Sequence, residues 1–229
     1  MKAVRLMLVV VAAFGAFALQ AQDFELQPFV FEAEECDVAS QWVSGEGVDG
    51  SFGILLRKGC TTATQAAAGV DVISELEGED VSNLTELDFA VTGHCGAGAP
   101  RFNVQVDGST YFLGCSSGEQ TDLGDGWTHV VFDADDFALA GIPVTGTLED
   151  IYIIFDEGTD TPESESIVTP GEAYIDNVSV NGAIVGEPAG PTSKDQCKNN
   201  GWRSFLNPPF RNQGQCVSSV VSNRGGNRP

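Results

Sequence analysis

The chain has 229 residues, and its 33 acidic side chains outnumber 11 basic ones, which gives a net charge of −22. So large a negative charge argues against nucleic acid or an anionic membrane as a partner, because Lys and Arg make most contacts to their phosphate groups. The length suffices for one sandwich or barrel domain with a small appendage.

The first 21 residues have the three parts of an export signal. Lys2 and Arg5 precede an apolar run from residue 6 to residue 19, and Ala18 and Ala21 are small residues suited to cleavage. The run is shorter than the roughly 20 residues that a transmembrane helix needs. We therefore predict a signal peptide over 1–21 and a secreted protein, extracellular or periplasmic, that does not insert into the membrane after cleavage.

Residues 22–185 alternate between short β-type runs and turn signals, a pattern typical of a sandwich or barrel. Asp107-Gly108 and Asn181-Gly182 each lie between two runs and favour the positive φ angles of a two-residue hairpin. Residues 134–140 predict one helical turn. In chain order, the predicted strands are 28–33, 52–57, 69–74, 84–92, 101–106, 109–114, 127–133, 148–155, 172–180 and 183–185.

Alternation within these runs indicates which side chains face the interior. Two such apolar faces packed together form the core of a sandwich. We therefore predict an all-β domain over 22–185, an antiparallel jelly-roll-like β-sandwich. The side chains predicted to share inner faces are Phe102, Val104 and Val106, then Val130 and Phe132, then Ile151, Ile153 and Phe155.

The composition changes after residue 185. Residues 186–193 (GEPAGPTS) have the Gly, Pro and Ser content of a linker. Residues 194–229 carry six cations and a single acid, Asp195, whereas 22–193 hold 32 of the 33 acids and only three cations. We predict a removable, basic, Cys-containing tail over 194–229.

All six cysteines follow the signal, and an even number in an exported chain predicts disulfides. Six cysteines allow 15 pairings, and proximity in sequence selects among them. One of the selected pairs flanks the Asp107-Gly108 hairpin and another lies wholly within the tail. The predicted bridges are Cys36–Cys60, Cys95–Cys115 and Cys197–Cys216.

Three carboxylates attract attention in the first and last predicted strands. Glu32 and Glu34 share one face of the first strand, and Asp176 shares a face with Tyr174 and Val178 in the late strand. A carboxylate in an apolar row needs a partner, and calcium suits hard carboxylate oxygens. The alternative is a solvated edge for the glutamates and a bulge that turns Asp176 outward.

Aromatic side chains are candidate platforms for stacking against a sugar ring. Trp42 and Tyr111 are the predicted ligand-binding residues. Trp127 begins an alternating strand, and its pattern favours a place in the core.

No catalytic signature emerges from the sequence. Residues 114–118 (GCSSG) match the nucleophile-elbow pattern, but a turn-like segment follows where a helix is required. His94 and His129 have no His or Cys spacing suited to zinc. We predict no catalytic residues.

Two short segments resemble the galactose-binding-like jelly rolls of carbohydrate-binding modules: Phe31-Glu32-Ala33-Glu34, and residues 173–180 (AYIDNVSV). In several such families an early Glu-x-Glu and an Asp of the last strand hold a structural calcium. The resemblance therefore implies Glu32, Glu34 and Asp176 as calcium ligands. Separately, residues 195–202 with 212–217 resemble a Cys-stapled C-terminal tail of exported bacterial proteins of unknown role. This resemblance implies bacterial export and adds nothing about activity.

These observations predict a secreted, non-catalytic binding module, stabilised by calcium, whose partner is an extracellular or cell-surface glycan. A structural or surface-associated extracellular protein without a small ligand is the alternative. A hydrolase, which would need a Ser–His–acid arrangement around Ser116, is the third.

Overall fold

The computed structural model describes residues 25–31, 35–160, 171–184, 194, 197–198 and 211–223. In chain order the strands are β1 (Glu25–Phe31), β2 (Val38–Ser44), β3 (Phe52–Lys58), β4 (Ala67–Ile73), β5 (Leu87–Gly93), β6 (Arg101–Val106), β7 (Ser109–Gly114), β8 (Glu119–Gly124), β9 (Trp127–Phe132), β10 (Leu148–Phe155), β11 (Glu172–Val180) and β12 (Ala183–Ile184). The helices are α1 (Ala134–Ala140) and α2 (Gln213–Asn223).

The strands form two antiparallel sheets that pack as a sandwich, as the sequence predicted. One sheet has five strands in the order β1-β4-β10-β6-β7. The other has seven strands, with β2-β3-β11-β5-β9-β8 in order and β12 paired to β11. Strands adjacent in a sheet are mostly distant in sequence, so each outer face gathers residues from widely separated segments.

The inner faces of both sheets form one hydrophobic core. Every side chain predicted to face inward on β6, β9 and β10 is buried there. Phe89 packs against Phe102 and Phe132 with ring centroids 5.3 and 6.2 Å away, so aromatic contacts join the two sheets. Burial of such rings is a major source of stability.

The predicted hairpins are confirmed. Asp107 and Gly108 have φ of 48° and 75°, and Asn181 and Gly182 have φ of 54° and 74°. Both residues of each pair thus take the left-handed conformation that matches strand twist. A third pair with the same conformation, Asp125-Gly126, connects β8 to β9 and was not predicted.

The sequence failed to predict two strands. β8 is an edge strand of sequence EQTDLG in which every residue is exposed, so no apolar alternation marks it. β2 also lies at an edge and was not recognised. The helical turn at 134–140 is confirmed as α1, whose N-cap Asp133 forms a capping box with Asp136.

All three predicted disulfides are present: Cys36–Cys60, Cys95–Cys115 and Cys197–Cys216. The second clamps the base of the β6–β7 hairpin. The third joins Cys197 to α2, where both cysteines and Val220 form a small cluster of their own. The predicted linker at 186–193 lies outside the described residues. Among those residues, no helix is long and apolar enough to cross a membrane.

Candidate functional site

The outer face of the five-stranded sheet carries a continuous row of polar and aromatic side chains. Direct pairing across the five strands aligns the row, and at about 4.8 Å per strand it spans roughly 19 Å. We call the outward side chains of this sheet the open face. From edge to edge, the row is Gln27, Asp71, Tyr152, Asn103 and Phe112.

A second row lies beside the first, and its aromatic member is Phe29. Phe29 pairs with Gly69 of β4, and its ring lies over that glycine, because a Cβ built on Gly69 would stand 2.3 Å from the Cζ atom of Phe29. The glycine therefore lets the ring lie flat against the sheet. Phe31, two residues further along β1, is 60% exposed.

Arg101 is the cation of this face, and its guanidinium is already hydrogen-bonded to other groups of the protein. Its guanidinium makes two hydrogen bonds to the carboxylate of Asp156, at 2.6 and 2.8 Å, and a third to the carbonyl of Gly98. The guanidinium carbon also lies 5.4 Å from the ring centroid of Phe112, a cation–π contact. Phe112 remains 56% exposed, so Arg101 supports the ring from one side without covering it.

Two carboxylates flank Tyr152 in the middle of the open face. Asp71 pairs with Tyr152 across β4 and β10, and Asp150 is two residues from Tyr152 on the same strand. Partial burial raises the pKa of Asp71, and the charges of Asp150 and Glu77 raise it further. Burial also raises the pKa of Asp150, and a hydrogen bond from the backbone of Ile151 lowers it by a smaller amount. Among the described residues, no side chain donates a hydrogen bond to either carboxylate.

The amides of this face are only partly used by the protein. Asn103 is 5% exposed, and its Oδ1 accepts a hydrogen bond from Nε of Arg101 at 3.0 Å, while no described group accepts from its Nδ2. Gln105 donates to the hydroxyl of Tyr152 at 3.3 Å. Gln27 is exposed, and its side chain has no hydrogen-bond partner among the described residues. The open face therefore presents donors and acceptors to an external molecule.

The structure corrects the predicted orientation of Asp176. A bulge at Asn177, whose φ is 49°, shifts the register between Asp176 and Ser179. Val178 therefore points into the core, while Asp176 points to the outer face of the seven-stranded sheet. This agrees with the alternative interpretation of the sequence, in which a bulge turns Asp176 outward. Its carboxylate is 3% exposed and accepts hydrogen bonds from the backbone of Val48, the hydroxyl of Ser51 and the backbone of Asn177, at 2.7 to 2.8 Å.

The other two predicted calcium ligands, Glu32 and Glu34, lie outside the described residues. Within the described part of the chain, no group of three or more His, Cys, Asp or Glu side chains is arranged to hold a metal ion. The calcium site stays a prediction.

The two predicted stacking residues occupy the inner side of the sandwich. Trp42 is 8% exposed within the core, and Tyr111 is partly buried against it. Their role in ligand binding stays a prediction. Trp127 is buried, but it is not part of the core cluster between the sheets that its pattern favoured, because it lies on the side of β9 opposite to Val130 and Phe132.

The serine motif at residues 114–118 ends β7 and continues through a 3-10 turn into β8, so the strand-to-helix geometry of a nucleophile elbow is missing there. Cys115 is held in its disulfide, and Ser117 donates to the carbonyl of Gly114. The histidines are engaged elsewhere: His94 pairs with Glu157, and His129 pairs with Asp88.

Sequence reasoning missed the open face. A signal was present, since Gln27, Asp71, Asn103 and Tyr152 all occupy the polar positions of alternating strands. It was not decisive, because solvated strands show the same alternation.

Comparison with known proteins gives matches of fold. No protein-family model matches this chain, and no curated protein matches it. A family 11 carbohydrate-binding module from Clostridium thermocellum, solved with a beta-1,3-1,4-mixed-linked tetrasaccharide, has 14% identity and a TM-score of 0.41 over 71% of this chain and 91% of its own.

Two further structures show the same kind of likeness. A family 28 module described as specific for non-crystalline cellulose has 20% identity and a TM-score of 0.32, covering 62% of this chain and 87% of its own. A xylan-binding domain of family 22 has 17% identity and a TM-score of 0.34, covering 72% and 88%. The chain is thus similar to carbohydrate-binding modules, as its short segments predicted. The two sheets themselves establish the fold, and likenesses at these scores carry nothing about a ligand.

Proposed function

We propose that this protein is a secreted, non-catalytic module that binds a glycan chain across the open face. The observation that carries the proposal is the row from Gln27 to Phe112, in which two aromatic rings lie among polar groups that the protein uses only in part. A purely structural protein without a ligand has no need of such a row.

The aromatic rings supply the apolar part of recognition. Phe29 lies flat over Gly69, Tyr152 occupies the centre, and Phe112 is held by Arg101. An aromatic ring buries the C–H face of a sugar ring and fixes its orientation at a low cost in conformational entropy, because it has only two χ angles.

The polar groups supply the hydrogen bonds. The carboxylates of Asp71 and Asp150 accept from sugar hydroxyls, and the amide of Asn103 donates to them. Binding sites of this type combine apolar contact area with a few placed polar groups that set specificity. The sheet holds these groups in place before the ligand arrives, which lowers the entropic cost of binding.

The test is a glycan panel of neutral β-glucans, xylans, chitin and chitosan probed with the mature chain, followed by calorimetric titration of the best-bound oligosaccharide. Tyr152→Ala should weaken its affinity by about tenfold or more, as expected for a central aromatic contact. Leu139→Ala, which removes an exposed apolar side chain of α1, is the matched control and should bind like wild type.

Two outcomes would contradict the proposal. One is that wild type retains no glycan of the panel. The other is that Tyr152→Ala binds as well as wild type. Release of reducing sugar from a bound glycan would contradict the non-catalytic part alone.

A structural calcium held by Glu32, Glu34 and Asp176 is part of the same proposal. Asp176 is buried and offers two carboxylate oxygens, which suits the ion, although three protein donors already satisfy it. Calcium at a hundredfold excess over its dissociation constant would stabilise the fold by about 2.7 kcal/mol. The check is thermal unfolding with calcium and then with chelator, and equal melting temperatures would contradict the site.

A further inference from the structure

We infer that the open face prefers glycan chains with free, protonated amino groups over otherwise identical neutral chains. The inference rests on the proposed function, because it names the charge class of ligand for the same face. It follows from the two carboxylates at the centre of that face and from the bonding of the few cations of the sandwich to other groups of the protein.

Asp71 and Asp150 form the negative centre. They lie on neighbouring strands on either side of Tyr152, in diagonal positions that place such side chains about 7 Å apart. No described side chain donates a hydrogen bond to them, and the nearby carboxylate of Glu77 adds to the repulsion on Asp71. Each charge is therefore held at a cost that a cationic ligand group would remove.

The cations of the sandwich are all committed to other contacts. Arg57 pairs with Asp37 at 2.8 Å. Lys58 is 1% exposed and donates to the backbone carbonyls of Thr62, Thr64 and Asp156. Arg101 is paired with the Asp156 carboxylate, so within residues 25–31, 35–160 and 171–184 no cation remains to neutralise Asp71 or Asp150.

An amide beside the carboxylates offers a further polar contact at this place. Oδ1 of Asn103 accepts from Arg101, while its Nδ2 has no acceptor among the described residues and is not one of the buried atoms that lack a partner, so it remains accessible on the open face. Such a donor beside Tyr152 suits the hydroxyl or ring oxygen of a sugar. The ligand is therefore a sugar that brings oxygens to Asn103 and positive charge to the two carboxylates.

The same charges disfavour acidic glycans. A chain of uronate or sulfate-bearing sugars would bring negative charge to a face whose carboxylates are already unpaired, in a protein with a net charge of −22. Like charges across an interface are a common device for rejecting a wrong partner.

The experiment compares a β-1,4-linked glucosamine hexamer with the N-acetylglucosamine hexamer, which has the same backbone and no free amine. Calorimetric titration at mildly acidic pH and low salt should give about tenfold tighter binding of the glucosamine hexamer, with the ratio falling as salt is added. In the double variant Asp71→Asn and Asp150→Asn, the ratio should fall to about one. Leu139→Ala should keep the wild-type ratio.

The outcomes separate the two proposals. If wild type binds neither hexamer and no other glycan of the panel, the proposed function fails. If it binds both hexamers equally, or if the double variant keeps the preference, the open face is a glycan site and the charge inference alone is overturned. If the preference survives high salt unchanged, it does not come from these charges.

Discussion

On the outer face of the seven-stranded sheet, Asp176 accepts three hydrogen bonds, and Asp88 pairs with His129 at 2.9 Å. On the open face, Asp71 accepts none from any described residue, and partial burial raises its pKa. Both faces carry carboxylates within regular strands. On one face the protein supplies the partners, and on the other it leaves them out.

The aromatic and apolar side chains of the two faces follow the same division. Leu55 and Trp127 point outward from the seven-stranded sheet, yet both are buried, whereas Phe31 and Phe112 of the open face are largely exposed. The loop between β2 and β3 covers part of the outer face of the seven-stranded sheet, since the backbone of Glu46 lies against Gly53 and that of Val48 against Asp176. We call this outer face of the seven-stranded sheet the covered face. Covered groups stabilise the fold, and uncovered ones are available to a ligand.

The largest expected effect concerns the disulfide at the base of the hairpin that forms one edge of the open face. Cys95–Cys115 clamps the base of the hairpin that carries Asn103 and Phe112. Replacing both cysteines by serine should cost about 2–5 kcal/mol of unfolding free energy, as is usual for a native disulfide. Denaturant unfolding measures the loss. An unchanged midpoint would show that the strands alone hold this hairpin.

Asp176→Ala tests the covered face. The change leaves the Val48 backbone and the Ser51 hydroxyl without their shared acceptor, which should cost about 1–3 kcal/mol. The loss should persist in chelator, because it arises from hydrogen bonds within the protein. Glycan affinity should fall far less than in Tyr152→Ala. A variant as stable as wild type would mean that the covered face does not depend on this carboxylate.

Gly69→Ala tests how the open face holds its aromatic rings. The new Cβ would stand 2.3 Å from Cζ of Phe29, so the ring must move off the strand. We expect a stability loss of about 1 kcal/mol from this overpacking and a several-fold loss of glycan affinity, measured by thermal unfolding and titration. Phe29→Ala is the comparison, because it removes the ring without the clash. If Gly69→Ala binds glycan normally, Phe29 is not a stacking platform.

Much of the fold could be predicted from the sequence, because alternation and turn chemistry are local. Alternating apolar residues identified the inner faces of β6, β9 and β10, and the Asp107-Gly108 pair identified a hairpin. Proximity in sequence sufficed for all three disulfides. β8 escaped because a fully exposed edge strand has no apolar side to reveal it.

The open face could not be predicted, because it depends on strand order and register. Gln27, Asp71, Tyr152 and Asn103 come from four separate strands, and only the order β1-β4-β10-β6 brings them into one row. Local pattern also misjudged Asp176, since a single bulge residue reverses which side of a strand faces the core. Alternation separates two sides of a strand and does not say which polar side will be covered.

The smallest expected effect has the opposite sign, and Asp71→Asn measures it. Burial first, then Asp150 and Glu77, raise the folded-state pKa of Asp71 above its unfolded value, which is about 3.9. The folded state therefore holds the proton more tightly, so stability is lost as pH rises from the unfolded value through the raised folded one. Asn carries no charge and avoids this cost.

At pH 7, Asp71→Asn should therefore be more stable than wild type, by about 0.2–1 kcal/mol, the range for like charges on adjacent strands. The difference should vanish in acid, below the ordinary Asp pKa, where wild type is protonated in both states. Asp176→Asn, the same change on the covered face, should destabilise at pH 7, because an amide offers one oxygen where the carboxylate uses two. Thermal unfolding of all three proteins across this pH range provides the measurement. If Asp71→Asn proves less stable than wild type at neutral pH, then the Asp71 carboxylate contributes to the fold and is not held on the open face at a cost.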